Sequence, residues 1–209
     1  MTATAATAAS APDVAEAVDP QVGRILDAAY REFTAGGVRS TTMNRVAESA
    51  GLGVATVYRR FPQKALLVRA VILREVAAAT SAVAGAMQGA DSVEEQCAEG
   101  FSAFAHAVSA RPLLVRLLRG DTEQDGSAIA PGELVDQIIA MTRDYLAAWI
   151  RDLQATGCYT SVDPEVVAEI EARLALSLVI APDGRIPIGD ANASREFARS
   201  YLVPLLGRP

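Results

Sequence analysis

Apolar positions recur along this chain with helical spacing almost throughout. Val22, Leu26, Ala29 and Phe33 fall at i, i+4, i+7 and i+11, the stripe of a helix that buries one face. Gly36-Gly37 is expected to end that helix, because glycine adopts left-handed backbone angles cheaply. Ser40, Thr41 and Thr42 offer capping hydroxyls to a second helix that runs to about Ala50, where Gly51 breaks it. A third, short helix covers Val54 to Arg60. Pro62 opens a fourth, which continues to about Met87.

The same periodicity persists beyond Gly89. Val93, Cys97, Phe101, Phe104 and Val108 form a stripe, and Pro112 starts a short helix. Residues 120–132 read as an acidic, glycine-bearing loop. A long helix is predicted from about Glu133 to Ala155 and another, capped by Asp163, from Pro164 to Ile180. Residues 181–190 form a loop, and a last helix runs from about Ala191 to Leu206. No run alternates long enough to make a sheet, and no internal repeat is present. The fold class is therefore all-α: an N-terminal three-helix bundle joined to a larger C-terminal helical body. The expected boundaries are a disordered tail at 1–19, a small basic module at 20–65 and a helical body at 66–209.

Charge separates the two parts. The chain of 209 residues carries a net charge of −6. Residues 24–74 hold nine cations against three anions, a net of +6, which leaves −12 for the rest. That asymmetry points to a basic module meeting a polyanion, carried by an acidic body that does not, rather than to a chance spread of surface charge. Cys97 and Cys158 are too few and too far apart for a zinc site or a disulfide framework. The first twenty residues lack the basic start and apolar centre of a signal peptide. No apolar run is long enough to span a bilayer. A cytoplasmic, nucleoid-associated protein that does not engage membranes is expected.

The sharpest local pattern lies between Thr41 and Phe61. Ala47 is small where two helices must approach, Gly51 sits at a tight turn, and Val57 is an apolar residue pointing back to the core. This is the spacing of a helix-turn-helix, whose second helix enters the major groove. Val57 and Phe61 face inward, which leaves Val54, Ala55, Thr56, Tyr58, Arg59 and Arg60 to project outward or flank. A hydroxyl, a phenol and guanidiniums are donors to phosphates and bases. Lys64, the one lysine in the chain, falls in the first turn of the next helix, where an anion is already favoured. The plainer alternative is that these groups only solvate a helix face; the turn spacing and the charge asymmetry together argue against it.

The stretch from Arg24 to Ile72, and above all "TVYRRFPQK", resembles the N-terminal domain of TetR-family transcriptional regulators. The resemblance implies a three-helix DNA-binding domain, a linking fourth helix, a helical ligand-binding domain and a homodimer on palindromic double-stranded DNA. It places phosphate contacts at Thr42, Thr56, Tyr58, Arg60 and Lys64, and base contacts at Met43, Val54, Ala55 and Arg59. Two positions depart from the family pattern: Gly53 stands where many members have serine, and Val54 where a polar residue is common. Arg59 is left as the best candidate for reading guanine, with Val54 and Ala55 suited to thymine methyls.

The C-terminal half is less legible. Phe101, Phe104, Met141, Tyr145 and Trp149 are either ordinary core or the lining of an apolar effector pocket. Tyr145 is the favoured polar contact there. His106 points away from its helix's apolar stripe and is either a surface residue or a polar group at the pocket; alone, it makes a poor metal site. Val166, Ile170, Leu174 and Leu178 form one stripe, and Phe197, Tyr201, Leu202 and Leu205 another. Both are read as a two-fold dimer interface, against the alternative of packing within one subunit.

No nucleophile motif, catalytic carboxylate pair or phosphate loop is present, so neither enzymatic activity nor a cofactor or metal is expected. The favoured function is a ligand-released repressor with a small, mostly apolar effector. An activator or a nucleoid-organising protein would use the same DNA-binding face. A helical carrier or enzyme with a vestigial DNA-binding domain fits the Tyr58–Lys64 cluster poorly.

Overall fold

The computed structural model describes residues 19–119, 131–157 and 162–207. Residues 1–18 of the expected tail, the acidic loop's residues 120–130 and Cys158 lie outside the described residues. Among the described residues nine α-helices follow one another: α1 (Pro20–Ser40), α2 (Met43–Ala50), α3 (Val54–Arg60), α4 (Lys64–Gln88), α5 (Val93–Ser109), α6 (Pro112–Leu118), α7 (Pro131–Ala155), α8 (Pro164–Ile180) and α9 (Ala191–Phe197). No strand occurs among the described residues, so the protein is all-α.

Caps explain most helix starts. Side-chain oxygens of Asp19, Thr42, Ser92, Asp163 and Asp190 accept from backbone N–H groups of the first turns they precede. Gly37, with φ 81°, interrupts α1 where the glycine pair predicts its end, but one further turn follows before Thr41. Pro62 precedes α4 without entering it; Gln63 is the cap residue and Lys64 the first helical residue. The last helix departs most from expectation. After Phe197 the backbone widens into a π-helical stretch, Ala198–Leu202, and then tightens into a 3₁₀ turn, Val203–Leu206. Pro204, which has no N–H to give, sits at the start of that tightened turn.

One apolar core joins α1, α2, α3 and the first half of α4, centred on Ile25, Phe33, Val46, Val57 and Leu67. Leu113, Leu114 and Leu117 of α6 and Leu134 and Ile138 of α7 extend the same core, so the N-terminal bundle and the body are packed together. Two smaller clusters lie farther along: one around Ala147, Ile150, Ala168 and Leu206, the other around Phe101, Leu178, Ala198 and Leu202. The chelating pair of Arg195 with Glu99 (2.6 Å from Nε to Oε1) fastens α9 to α5, and holds the Glu99 carboxyl below its ordinary pKa.

Candidate nucleic-acid interface and internal cavity

The turn between α2 and α3 follows from Ala47, Gly51 and Val57. Gly51 takes φ 62° and ψ 40°, the left-handed region that costs an L side chain about 1–2 kcal/mol. Its N–H donates to the Glu48 carbonyl (3.0 Å), and the Leu52 N–H donates to the Ala47 carbonyl (3.0 Å). Arg24 of α1 caps this turn, donating from Nη2 to the carbonyls of Ala50 (2.7 Å) and Gly51 (3.1 Å). Val57 is fully buried and anchors α3 on the core.

With Val57 inside, α3 presents Val54, Ala55, Tyr58, Arg59 and Arg60 to solvent, with Thr56 partly covered. Gly53 caps α3 with no side-chain hydrogen bond, as its lack of a hydroxyl requires. Thr42 is exposed at the start of α2 and accepts from the Arg45 N–H (3.2 Å). Lys64, the first residue of α4, donates from Nζ to the Arg39 carbonyl (3.2 Å). Met43 does not join the exposed set. It is 6% exposed and packs in the core, because positions 43, 46, 47 and 50 together form the buried stripe of α2.

The basic excess of this region is less free than its count implies. Arg24 and Arg31 donate to carbonyls at the end of α2. Arg45 pairs with Glu32, Arg60 with Asp19, Arg69 with Glu133 and Arg74 with Asp27. Arg59, by contrast, has no ion pair among the described residues and stands exposed in the middle of the polar face.

A second feature lies inside the body. A cavity of about 170 Å³ runs between α4, α5, α6, α7 and α8 and is walled mostly by apolar groups. Phe101, Phe104, Tyr145 and Trp149 line it. Met141 does not. It lies 37% exposed on α7, while Ile138, Thr142, Tyr145, Leu146 and Trp149 make up that helix's cavity face. His106 is exposed and also off the wall. Gly100 permits the close approach of α5 to α4, since a Cβ there would lie 2.9 Å from Met87 Cγ. The Trp149 indole N–H donates to Gln96 Oε1 (3.0 Å), and the Tyr145 hydroxyl points at Met87 Sδ (3.7 Å).

Glu171 of α8 also lines the cavity and is the one carboxyl on its wall among the described residues. Its position was legible: Val167, Ala168, Ala172, Leu178 and Val179 define the buried face of α8, and residue 171 lies four after Val167 on that face. Burial pushes the Glu171 carboxyl up from 4.5 to about 7. Burial, and then the Glu171 and Glu94 carboxyls, push the Cys97 thiol up to about 12. Between about pH 4.5 and 7 the native state holds a proton on Glu171 that the unfolded chain has released, so stability from this group falls as pH rises through that window. Glu171→Gln should therefore stabilise the fold at pH 8 by on the order of 2 kcal/mol and by little at pH 5. Urea midpoints at the two pH values measure the difference.

The residues expected at a dimer interface divide. Val166 (54% exposed), Ile170 (47%) and Tyr201 (65%) lie on the surface. Leu178 and Leu202 are buried and Leu174 and Leu205 partly so, packed with Phe101 and Phe197 inside one subunit. Leu174 and Leu202 also reach the cavity wall. The reason is helical drift. Steps of four residues advance about 40° each, so Val166 and Leu178 point about 120° apart around α8. Arg173, Ser177 and Ile180 continue the exposed line that begins at Val166 and Ile170.

Residues 25–71 match the family described as bacterial regulatory proteins, tetR family. Over 195 residues the chain is 25% identical to the HTH-type transcriptional regulator UidR of Escherichia coli, covering 90% of this chain and 92% of that one. Among solved structures it is similar to Salmonella enterica GusR, with a TM-score of 0.62, 25% identity, and coverage of 90% and 95% of the two chains. It shares its fold with the TetR family repressor AlkX from Dietzia sp., implicated in biodegradation of n-alkanes, at a TM-score of 0.61, 22% identity and coverage of 90% and 97%.

Proposed function

Since this chain is a TetR-family transcriptional regulator, we propose that it represses transcription as a homodimer on a palindromic operator and leaves DNA when a small, mostly apolar molecule fills the cavity. It acts in the cytoplasm, on the nucleoid; no helix among the described residues is long and apolar enough to cross a membrane. Tyr58, Arg59, Arg60, Thr42, Thr56 and Lys64 supply donors to phosphates and base edges, and Val54 and Ala55 supply apolar contacts to the groove. Phe101, Phe104, Tyr145 and Trp149 receive the effector.

The observation that carries this reading is the path of α4. Its first residue, Lys64, follows α3 after the three residues 61–63, and Val76, Thr80 and Met87 farther along the same helix line the cavity. Twelve residues of helix separate Lys64 from Val76, about 18 Å. A ligand that shifts this rod therefore moves the DNA face with it. Two contacts extend the link: Arg116 of α6 donates to the Phe33 carbonyl of α1 (2.9 Å), and Arg69 of α4 bonds Gln137 and Glu133 of α7. To release DNA, a ligand must prefer the non-binding spacing of the two recognition helices by several kcal/mol, since equal affinity for both states shifts nothing.

Binding to labelled genomic fragments at moderate salt tests the reading. Sequence-selective retention is expected, with release by lipophilic compounds that also shift Trp149 emission. Uniform retention of every fragment points instead to nucleoid organisation, and no retention to a carrier. Lys64→Ala should weaken binding about equally on all sequences and reduce the slope of log K against log salt by about two, since the dimer loses one phosphate contact in each half-site. An unchanged slope removes Lys64 from the DNA face.

A further inference from the structure

Within the cavity that the proposed function assigns to the effector, Glu171 is the one carboxyl on the wall among the described residues. Thr80, Gln96, Tyr145 and Trp149 direct donors at protein acceptors: the Val76 carbonyl, the Ala90 carbonyl, Met87 Sδ and Gln96 Oε1. Glu171 is partly buried, lines the cavity, and has no hydrogen bond or ion pair among the described residues. A carboxyl so enclosed is expensive to ionise unless something brings it a counter-charge or a donor. The described residues bring neither. Among them, no arginine, lysine or histidine lies on the cavity wall.

We propose that Glu171 is the recognition residue for a lipophilic amine, a monocationic ligand whose apolar body fills the aromatic wall and whose ammonium group pairs with this carboxylate. The apolar lining sets the body of the ligand, with Phe101, Phe104, Tyr145 and Trp149 presenting ring faces and edges to it. An ammonium group supplies what the carboxyl lacks, and aromatic rings in the same space favour a cation further. An anionic amphiphile of the same length fails on both counts. It would enter an apolar cavity with no cation to meet it and one carboxyl to repel it. The inference rests on the cavity being the effector site, and it narrows the class of effector that site admits.

The pairing has a signature in pH. Burial holds the empty-state Glu171 near 7, and an ammonium partner binds the ionised form, so each amine that enters releases a proton when the carboxyl starts protonated. The other titratable groups on the wall stay neutral across the range. Cys97 of α5 lies near 12, and burial raises Tyr145 of α7 above its ordinary value. The wall residues of α4 and α6 include no titratable group.

The test uses the whole chain without DNA and three probes of one chain length: n-octylamine, n-octanol and octanoate, each followed by Trp149 emission and by thermal shift. At pH 8 octylamine should bind at least tenfold more tightly than octanol, with octanoate weakest. From pH 8 to pH 6 octylamine affinity should fall about tenfold, as the carboxyl protonates, while octanol affinity stays level. Glu171→Gln should bring octylamine to within about twofold of octanol and leave octanol unchanged; Glu171→Asp should keep the amine preference. Octanoate binding as tightly as octylamine, or a preference for amine that survives Glu171→Gln, overturns the assignment. If Glu171→Gln loses octanol as well, the pH series on the unaltered protein decides: a flat octylamine profile overturns the assignment and a tenfold fall upholds it. Operator release is a separate reading. Amine binding governed by Glu171 without release contradicts effector control and leaves this assignment standing, whereas release by octanoate upholds effector control and overturns this assignment.

Discussion

Ile170→Glu combined with Tyr201→Glu is expected to leave a folded monomer with little affinity for the full operator. Both residues are largely exposed in the single chain, so neither substitution disturbs an internal contact of the size that holds the fold. In a two-fold contact each replacement enters twice, placing four carboxylates against apolar partners. A buried, unpaired charge costs about 3–5 kcal/mol, far more than a surface change. The exposed line of Val166, Ile170 and Ile180, with the Tyr201 ring tilted against Phe197 at 5.1 Å between ring centroids, is the apolar surface that a second copy would cover. Sedimentation should report one subunit, circular dichroism an unchanged helical content, and operator binding only the affinity of a half-site. A dimer that persists moves the interface elsewhere. Leu174→Glu and Leu202→Glu serve as the contrast: these side chains face the cavity and the internal cluster, so they should lower stability before they change association.

Arg59→Ala carries the second large effect. Arg59 stands in the middle of the exposed face of α3 and has no ion pair among the described residues, whereas Arg60 is paired with Asp19. A guanidinium reading guanine contributes about 1–3 kcal/mol of discrimination, and a palindrome contains the contact twice. Loss of both should cost operator affinity about two orders of magnitude or more, and relax preference at one base pair in each half-site. Competition with all single-base operator variants measures it. Uniform weakening with preference intact makes Arg59 a phosphate contact.

Much of this architecture was legible because helical period and cap chemistry act locally. The limits of α3 and α8 follow from Gly51, Pro62 and the Asp163-Pro164 pair, and the inward turn of Val57 follows from its spacing to Ala47 and Gly51. What failed depended on direction around a helix over longer distances. Leu174 and Leu178 continue the sequence stripe of Val166 and Ile170, yet rotation carries them from surface to interior. Met43 and Met141 read as contact residues by type, but the first falls on the buried stripe of α2 and the second just off the cavity face of α7. Glu171 was overlooked because a charge on a helix usually marks its solvent face, although its spacing from Val167 placed it inside. The free charge of the basic module was likewise overread. Pairing with Asp19, Glu32 and Asp27 depends on tertiary contacts that composition does not display.

Footprinting of the purified protein on DNA from its own genome tests the central claim most directly. The account predicts discrete sites in which two inverted half-sites are protected, with centres one helical turn apart, about 34–36 Å, or a whole multiple of it. Protection spread evenly over all sequences, or confined to single unrepeated half-sites, would contradict it.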